Sequence, residues 1–473
     1  MSEILTPDIC VIGAGSGGLS VAAGASQMGA SVVLIERARM GGDCLNFGCV
    51  PSKSLIAAAH AAHAAREASK FGVSVTEPAI DGAAVFARVH KVIATIAPLD
   101  SVERFEGLGV RVIQAAARFT GPDRVQAGGI EVRARRFVVA TGSSAAVPPI
   151  PGLDKVPYLT NETVFDLDAI PKHLIVLGGG PIGIELAQAF RRLGAKVSVI
   201  EMMAILGRDD PELAQVIRCQ LAREGVALHE NARAERIEPT AGGVAVETSG
   251  SEGTRIEGTH ILVAVGRRPN VKELGLDLAG VSVEPQGIVT DARLRTTNPR
   301  VYAVGDAAGG LQFTHVAGYH AGIAIRNILF RLPARADRAF VPRVTYSDPE
   351  LATVGLTEAE ARARHVDFRI LRWALHDNDR AQAEGKTEGL IKVVATRRGK
   401  ILGAGIAGAH AGELIQPWTL ALSQGLGLGA MASVIAPYPT LGEISKRAAG
   451  SFYTPTLFGE RTKTIVRLLA RLG

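Results

Sequence analysis

Two cysteines in the N-terminal part of the chain have the spacing for redox chemistry. The segment GGDCLNFGCVPSK places four residues between Cys44 and Cys49. A disulfide requires Cα atoms roughly 4.4–6.8 Å apart, whereas five residues of straight helix rise about 7.5 Å. The backbone must therefore bend between the two cysteines, and Gly48 gives it the freedom to do so. A redox-active pair, a structural disulfide and two free thiols are all compatible with this spacing.

A helix is predicted directly after the second cysteine. Pro51 suits the first turn of a helix, and the alanine-rich run KSLIAAAHAAHAARE favours a long one. Cys49 is thereby predicted to lie at or just before a helix N-terminus. That position lowers the pKa of a thiol and favours the thiolate.

A glycine-rich turn precedes the cysteines. A predicted strand, Ile9–Ile12, leads into Gly13, Gly15 and Gly18, and a helix and a second strand ending at Glu36 follow. This order predicts a dinucleotide-binding βαβ unit, with a pyrophosphate at the helix N-terminus and the carboxylate near ribose hydroxyls.

The same pattern recurs in HLIVLGGGPIGIELAQAFRRLGAKVSVIE, where Gly178, Gly180 and Gly183 are followed by Glu201. Two nucleotide-binding folds in one chain imply two nucleotides. The carboxylate of Glu201 favours NAD, because it would repel a 2′-phosphate. Arg208 lies seven residues further on, and it keeps NADP open as an alternative.

The cysteine segment resembles the redox-active disulfide signature of the class I pyridine nucleotide–disulfide oxidoreductases, which include dihydrolipoyl dehydrogenase, glutathione reductase and mercuric reductase. The resemblance extends over essentially the whole chain, with the motifs in the same order. It implies an α/β protein with two Rossmann-like dinucleotide-binding domains, for FAD and NAD(P), and a C-terminal α+β dimerisation domain.

The resemblance also implies domain boundaries. The expected division is residues 1–155 for the first part of the FAD domain, 156–270 for the NAD(P) domain, 271–340 for the second part of the FAD domain, and 341–473 for the dimerisation domain. Within the last domain, NDRAQAEGKTEGLIKVVA is expected to form strands joined by a turn.

Roles for individual residues follow from the resemblance. Cys49 is the sulfur expected next to the flavin, and Cys44 is the exposed interchange thiol. Lys53 is expected to lie near the flavin and to pair with Glu185. Further cofactor-binding positions implied by the resemblance are Gly42, Thr141, Gly142, Gly266 and Asp306, and this aspartate is expected to bond the flavin's ribityl chain.

The C-terminal motif YPTLGE departs from the family pattern His-Pro-Thr-x-x-Glu. In the family, that histidine of the partner subunit is the acid–base group, and the glutamate orients it. Glu443 is retained here, but Tyr438 occupies the histidine position. A phenol with a pKa near 10 is a poor base at neutral pH, whereas imidazole titrates near 6.5.

At this position the chain resembles the mercuric reductases, which also carry tyrosine there. Mercuric reductases deliver their metal through a C-terminal cysteine pair, whereas no cysteine follows Cys219 here. Asp43 stands where relatives usually have threonine, and its charge is expected to raise the pKa of Cys44.

The predicted function is a homodimeric FAD flavoprotein, an oxidoreductase that oxidises NADH or NADPH. Electrons pass through the redox-active disulfide Cys44–Cys49 to a small-molecule thiol or disulfide or to a metal ion, in mercuric-reductase-like fashion, with a role in cell redox homeostasis. One alternative is a dihydrolipoyl dehydrogenase that acts on a lipoyl-bearing protein. An alternative of another class is a non-catalytic redox sensor.

Composition limits the expected cellular location and the expected classes of partner. The chain has 473 residues, four cysteines and a net charge of +6, and its N-terminus lacks the pattern of a signal peptide. No apolar run reaches the ~18–20 residues of a membrane-spanning helix, and no basic run carries interleaved aromatics. We expect a cytoplasmic protein with neither membrane nor nucleic-acid partners and no resident metal. The tail RTKTIVRLLARLG predicts an amphipathic helix, packed on the dimer or, alternatively, lying on a membrane surface.

Overall fold

A computed structural model describes residues 3–250 and 253–472. The chain divides into two compact units. The first unit holds the chain up to Gly178, Ala189–Ile200 and Ala232–Asp337. The second unit holds Gly179–Gln188, Glu201–Asn231 and the chain from Arg338. The finer division into FAD, NAD(P) and dimerisation domains stays a prediction.

The first third of the chain alternates strands with helices. Its strands are β1 (Ile4–Leu5), β2 (Ile9–Ile12), β3 (Val32–Glu36), β4 (Val110–Gln114), β5 (Ala117–Gly121), β6 (Arg124–Ala127), β7 (Ile130–Val132), β8 (Arg136–Val139) and β9 (Ser143–Ala145). Its helices are α1 (Ser16–Gln27), α2 (Gly42–Asn46), α3 (Cys49–Glu67), α4 (Gly82–Ile96) and α5 (Val102–Gly107).

The middle of the chain continues this alternation. Its strands are β10 (His173–Leu177), β11 (Lys196–Ile200), β12 (Ala227–His229), β13 (Arg233–Thr240), β14 (Gly243–Ser249), β15 (Arg255–Gly258), β16 (His260–Val263), β17 (Arg267–Pro269), β18 (Val283–Glu284), β19 (Gly287–Ile288) and β20 (Val301–Ala303). Its helices are α6 (Pro181–Arg192), α7 (Pro211–Arg223) and α8 (Thr314–Leu329).

The C-terminal part combines a sheet with short helices. Its strands are β21 (Arg343–Thr345), β22 (Glu350–Gly355), β23 (Phe368–Ala374), β24 (Leu390–Thr396) and β25 (Ile401–Gly408). Its helices are α9 (Glu358–Ala363), α10 (Asp379–Ala383), α11 (Ala411–Leu414), α12 (Gln416–Ser423), α13 (Leu428–Ser433), α14 (Glu443–Ser451), α15 (Thr454–Leu457) and α16 (Glu460–Leu469).

A parallel five-stranded sheet of order β20-β8-β2-β3-β4 forms the centre of the first unit. Successive residues of β2 point to opposite faces, so Ile9 and Val11 enter one hydrophobic core while Cys10 and Ile12 enter the other. All four are buried, as expected of a parallel strand covered on both faces. The predicted first βαβ unit is confirmed.

The second βαβ pattern is also confirmed. Strand β10 pairs in parallel with β11 on one side and with β16 on the other. All residues of β10 except the first are buried. Glycines before α6 and the acid after β11 therefore stand at the carboxyl ends of parallel strands, where α/β sheets bind ligands.

The C-terminal sheet is antiparallel, with strand order β21-β22-β25-β24-β23. Helices α12 and α14 pack on it, and Trp418 is fully buried there with its Nε1–H donating to Ser445 Oγ at 3.0 Å. The expectation of strands throughout NDRAQAEGKTEGLIKVVA was wrong in its first part. Asn378 caps a short helix there, α10, because its side chain accepts from the backbone N–H of Ala381.

The predicted terminal amphipathic helix is confirmed as α16. Its side chains Ile465, Val466, Leu468 and Leu469 are each more than half exposed. Its packing against a dimer stays a prediction.

By length and composition alone, one helical stretch in the described chain, residues 82–107, qualifies as a membrane-crossing segment. From the sequence alone, no apolar run of this length was expected. The stretch consists of α4, a 3₁₀ turn and α5, and soluble proteins contain helices that meet the same criterion. It is a weak indication, and the absence of a membrane partner stays a prediction.

Candidate active site

The two cysteines lie on two consecutive helices joined by a tight bend. Cys44 is the third residue of α2, and Cys49 begins α3 with Gly48 as its N-cap residue. A Cβ atom on Gly48 would approach Asp43 Oδ2 to 2.9 Å and the carbonyl oxygen of Asp43 to 3.0 Å, so a side chain would crowd the bend. The predicted bend and the predicted helix N-terminus at Cys49 are confirmed.

The thiols of Cys44 and Cys49 are free in this structure and hydrogen-bonded to each other. That hydrogen bond lowers the pKa of Cys49 to about 6, assisted by Thr314, whose Oγ1 lies 3.4 Å from Cys49 Sγ, and by the charge of Lys53. The same hydrogen bond, together with burial, raises the pKa of Cys44. Cys49 is therefore the thiolate of the pair and Cys44 the thiol.

Asp43 acts differently from the expectation. The pKa of Cys44 is raised, as predicted, but by Cys49 and by burial rather than by Asp43. The Asp43 carboxylate instead raises the pKa of Cys49 and so opposes the groups that lower it. Its Oδ1 lies 3.0 Å from Nη2 of Arg267.

The first glycine turn is shaped as a bare backbone cradle. Gly13 has a φ of +103°, and a Cβ there would lie 2.5 Å from the carbonyl oxygen of Ala140. A Cβ on Gly18 would overlap the carbonyl oxygen of Gly13. Gly15, at the N-terminus of α1, faces Gly42 of the cysteine segment, and no side chain of the described residues caps this helix. Free helix N–H groups behind a glycine turn fit a dinucleotide pyrophosphate.

The acid that ends the first βαβ unit is fixed by backbone amides. Glu36 is buried, and its two carboxylate oxygens accept from Ala14 N at 2.6 Å and from Ala38 N at 2.8 Å. Each carboxylate oxygen retains acceptor capacity beyond one hydrogen bond. The contact with ribose hydroxyls stays a prediction.

The second glycine turn repeats this geometry. Gly178 has a φ of +106°, and a Cβ there would lie 2.5 Å from the carbonyl oxygen of Ala264. Glu201 accepts from Gly179 N at 2.7 Å and from Met203 N at 3.0 Å. Two further predicted positions, Gly180 and Gly183, lie directly before α6 and in its first turn.

Two segments distant in sequence, β9 and β17, pair with each other. Strand β9 pairs antiparallel with β17, which brings the segment after Thr141 and Gly142 next to the segment after Gly266. Asn270 joins them, since its backbone N–H donates to Gly142 O at 2.9 Å and its carbonyl oxygen accepts from Thr141 Oγ1 at 2.6 Å. Gly266 has a φ of +136°, which favours glycine.

The predicted flavin-side aspartate lies in the same place. Ser143 Oγ donates to Asp306 Oδ2 at 2.6 Å, and burial raises the pKa of Asp306. Ser143 also accepts from Arg267 Nε at 2.7 Å. Ser143 and Arg267 were not predictable from the sequence, because only the pairing of β9 with β17 brings residues so far apart in the chain together.

The C-terminal motif carries an exposed phenol. Tyr438 is 70% exposed, and its hydroxyl donates to Asp379 Oδ2 at 2.9 Å. The hydrogen bond and negative charge of Asp379, with the charge of Glu443, raise the pKa of Tyr438. Tyr438 is therefore a protonated phenol at neutral pH. Glu443 begins α14 in the same segment.

The predicted partners Lys53 and Glu185 lie on the helix after the cysteines and on the helix of the second nucleotide motif. Lys53 is on α3, one turn beyond Cys49. Glu185 is buried on α6, and its Oε1 accepts from the backbone N–H of Tyr346 at 2.9 Å. Their pairing stays a prediction. Across residues 3–250 and 253–472, no three His, Cys, Asp or Glu side chains form a metal-binding group.

Comparison with known proteins identifies the family. The profile described as "Pyridine nucleotide-disulphide oxidoreductase" matches residues 7–321, and that of the family's dimerisation domain matches residues 341–449. The chain belongs to this family. It is therefore a flavin-dependent oxidoreductase of the FAD- and NAD(P)H-using type, and its dimerisation domain supports a homodimer.

Several relatives match over nearly the whole chain. A mercuric reductase of Streptomyces lividans is 35% identical over 454 residues, covering 94% of this chain and 96% of that protein. A dihydrolipoyl dehydrogenase of Thermus scotoductus is 37% identical over 468 residues, covering 95% and 98%.

Solved structures agree with these matches. The Cu(II) complex of the HOCl-induced flavoprotein disulfide reductase RclA from Escherichia coli superimposes with a TM-score of 0.84 at 28% identity, covering 93% of this chain and 98% of that chain. LpdA from Mycobacterium tuberculosis superimposes with a TM-score of 0.87 at 29% identity, covering 94% and 99%. The predicted family and fold class are confirmed.

Proposed function

We propose that the protein takes electrons from NADH and delivers them through Cys44 and Cys49 to a metal ion held as a thiol complex. One observation carries the proposal. Gly42, which begins the cysteine helix, packs against Gly15 at the N-terminus of α1. The cysteine pair thus lies at the edge of the first dinucleotide cradle, where electrons enter it.

The proposed sequence balances. Bound FAD supplies a two-electron carrier between the nicotinamide and the disulfide. The oxidised pair takes up two electrons and one proton, the S–S bond breaks, and Cys49 thiolate and Cys44 thiol result. Two electrons then pass to one Hg(II) ion, which becomes Hg(0), or to two Cu(II) ions, which become Cu(I), and the disulfide re-forms with release of the proton.

Residues around the sulfurs support this division of labour. The hydrogen bond from Cys44 and the charge of Lys53 stabilise the Cys49 thiolate. Cys44 stays protonated until it reacts, because its pKa is raised. Glu201 supports NADH over NADPH, because its carboxylate, at the end of the second nucleotide motif, would repel a 2′-phosphate. A cytoplasmic homodimer, with Tyr438 and Glu443 of each subunit completing the partner's site, is part of the proposal.

The choice of acceptor rests on Tyr438. Thiol–disulfide exchange benefits from a base that titrates near neutral pH. Tyr438 is held protonated by Asp379, whereas a metal ion bound by thiolates requires no such base. The relatives named mercuric reductase favour the same choice.

A second candidate is dihydrolipoyl dehydrogenase activity. It is favoured by the Thermus scotoductus relative, which covers 95% of this chain. Lipoamide, free or on a lipoyl protein, would then exchange with Cys44.

NADH oxidation by the purified FAD-loaded dimer separates the two candidates, with lipoamide, thiol-complexed Hg(II) and thiol-free Cu(II) as alternative acceptors. We expect negligible lipoamide turnover, full reduction of the flavin by NADH, and turnover with at least one metal ion. Rapid lipoamide turnover would instead establish the dihydrolipoyl dehydrogenase candidate.

A further inference from the structure

A carboxylate is fixed one residue before the first cysteine. Asp43 is the second residue of α2, and its Oδ1 lies 3.0 Å from Arg267 Nη2 and accepts from Asn161 Nδ2 at 3.0 Å. Asn161 is buried and also donates to the carbonyl oxygen of Phe47 at 3.2 Å. The amide of Asn161 therefore holds both ends of α2, the helix that carries Cys44.

The cation that faces this carboxylate is itself held rigidly. Only 12% of the Arg267 side chain is exposed. Its Nε donates to Ser143 Oγ and its Nη2 to Ser143 O, both at 2.7 Å. Ser143 donates in turn to Asp306, whose pKa Arg267 lowers against the effect of burial. Asp43 is thus one end of a continuous polar chain that runs from the cysteines to Asp306.

The carboxylate is close enough to affect the sulfurs. Asp43 Oδ2 lies against Gly48, where a Cβ would approach it to 2.9 Å, and Gly48 directly precedes Cys49. Three groups favour the Cys49 thiolate, namely Cys44, Thr314 and Lys53, and Asp43 opposes them. The balance of charge around the reduced pair is therefore set in part by one residue.

We propose that Asp43, clamped by Arg267 and Asn161, is a positioning residue that keeps the reduction potential of the Cys44–Cys49 pair low. Reduction of the disulfide takes two electrons and one proton and leaves one negative charge, on Cys49. A fixed carboxylate nearby destabilises that charge, so the dithiol becomes a stronger reductant. The inference rests on the proposed function only in taking this pair as the redox-active centre.

The direction of the change in reduction potential is the same whether Asp43 is considered alone or together with Arg267. Replacing Asp43 with asparagine removes one negative charge and leaves Arg267 uncompensated. Either description makes the surroundings of Cys49 more positive by one charge. The thiolate is stabilised, and the reduction potential rises.

The test is equilibration of the FAD-loaded dimer in dithiol–disulfide buffers of known potential without oxygen, followed by alkylation and mass spectrometry of Cys44 and Cys49. In Asp43→Asn the dithiol-to-disulfide ratio at a fixed buffer potential should rise roughly three- to tenfold, which corresponds to about 15–30 mV. Asp43→Glu retains the charge and should restore most of the wild-type ratio. Flavin content and far-UV circular dichroism report whether each variant folds.

Asp100→Asn is the matched control. The Asp100 carboxylate also borders the cysteine segment, where a Cβ on Gly41 would lie 3.1 Å from its Oδ2, but it is not among the groups that act on Cys44 or Cys49. Its ratio should stay within twofold of wild type.

The outcomes are distinct. A ratio in Asp43→Asn equal to or below that of wild type would overturn the inference while leaving the proposed function intact. Asp43→Thr, which also removes the charge, decides the matter if Asp43→Asn does not fold. If the wild-type pair fails to cycle between disulfide and dithiol in these buffers, the proposed function itself fails.

Discussion

The two glycine turns share one backbone geometry and differ in what lies beside them. Gly13 and Gly178 have nearly the same φ, +103° and +106°, and each turn is closed by a glutamate that accepts from the first amide of the turn. Beside the first turn, the cysteine segment returns and Gly41 N donates to Ala14 O at 3.0 Å. Beside the second, a Cβ on Gly180 would meet open space: apart from its two chain neighbours, no described residue comes within 4 Å.

This difference separates two uses of one motif. A cradle that another segment closes suits a cofactor that stays bound, whereas an open cradle suits a nucleotide that enters and leaves at each turnover. Exposed side chains after the second motif agree with this, since Met202 and Met203 are 65% and 68% exposed.

The largest expected effect concerns an ion cluster that joins the start of α7 to the C-terminal sheet. Lys392 is 6% exposed, and its Nζ lies 2.8 Å from Asp210, the N-cap of α7, and 2.9 Å from both Glu212 and Glu358. Lys392→Met should lower the free energy of unfolding by about 3 kcal/mol, because the buried carboxylate of Asp210 loses its cation. Denaturant unfolding measures the change.

An exposed ion pair provides the control for that variant. Lys463 pairs with Glu460 at 2.8 Å on α16, and Lys463→Met should cost less than about 1 kcal/mol. Equal costs for the two variants would contradict a stabilising role for the buried cluster.

The second prediction compares the glycines directly. Gly13→Ala places a side chain at positive φ against Ala140 O and should weaken FAD binding by about 2–4 kcal/mol, roughly 30- to 1000-fold. Gly178→Ala should keep the flavin and raise the KM for NADH instead. Flavin content by absorbance and steady-state kinetics distinguish them, and loss of flavin from Gly178→Ala would refute the assignment of the two cradles.

Sequence patterns sufficed for both motifs because short-range rules determine them. A buried strand, a glycine turn and a helix fix Gly13, Gly15 and Gly18 within one βαβ unit. The bend at Gly48 was predictable for the same reason. Arg267 and Asn161 were not, since they reach the cysteine segment only through the pairing of distant chain segments. Helix α10 was not predicted, because the segment was expected to form a strand and the capping hydrogen bond of Asn378, which stabilises a helix there, was not considered.

The third prediction concerns nucleotide choice at the open cradle. Glu201→Gln removes the charge that disfavours a 2′-phosphate and should raise the ratio of kcat/KM for NADPH to that for NADH about tenfold. Glu36→Gln is the matched change in the other motif and should leave this ratio unaltered. Initial rates with both nucleotides provide the measurement, and an unchanged ratio in Glu201→Gln would remove the argument for NADH.

The fourth prediction concerns electron transfer from the cysteine pair to the acceptor. Tyr438→His introduces a group that titrates near 6.5 and should raise lipoamide turnover severalfold. Tyr438→Phe, which also breaks the hydrogen bond to Asp379, controls for simple loss of the phenol. No gain with histidine would count against the role assigned to Tyr438.

The smallest expected effect is the pH dependence of thiolate formation at Cys49 in the reduced enzyme. Because the pKa of Cys49 is lowered to about 6, the thiolate forms as pH rises through 6. Its fraction is roughly nine-tenths at pH 7 and one-tenth at pH 5. Alkylation of Cys49 in the reduced enzyme, measured from pH 5 to pH 8, should follow this titration. A midpoint above pH 8 would contradict the stabilisation of the thiolate by Cys44 and Lys53.

The central claim is that electrons from the open cradle reach the cysteines beside the closed one. Its most direct test is to reduce the FAD-loaded dimer with NADH in the absence of oxygen and then alkylate and identify the accessible thiols by mass spectrometry. We predict that Cys44 and Cys49 are unreactive before NADH and both alkylated after it, without added acceptor. Reduction of the flavin with both cysteines still joined as a disulfide would contradict the account.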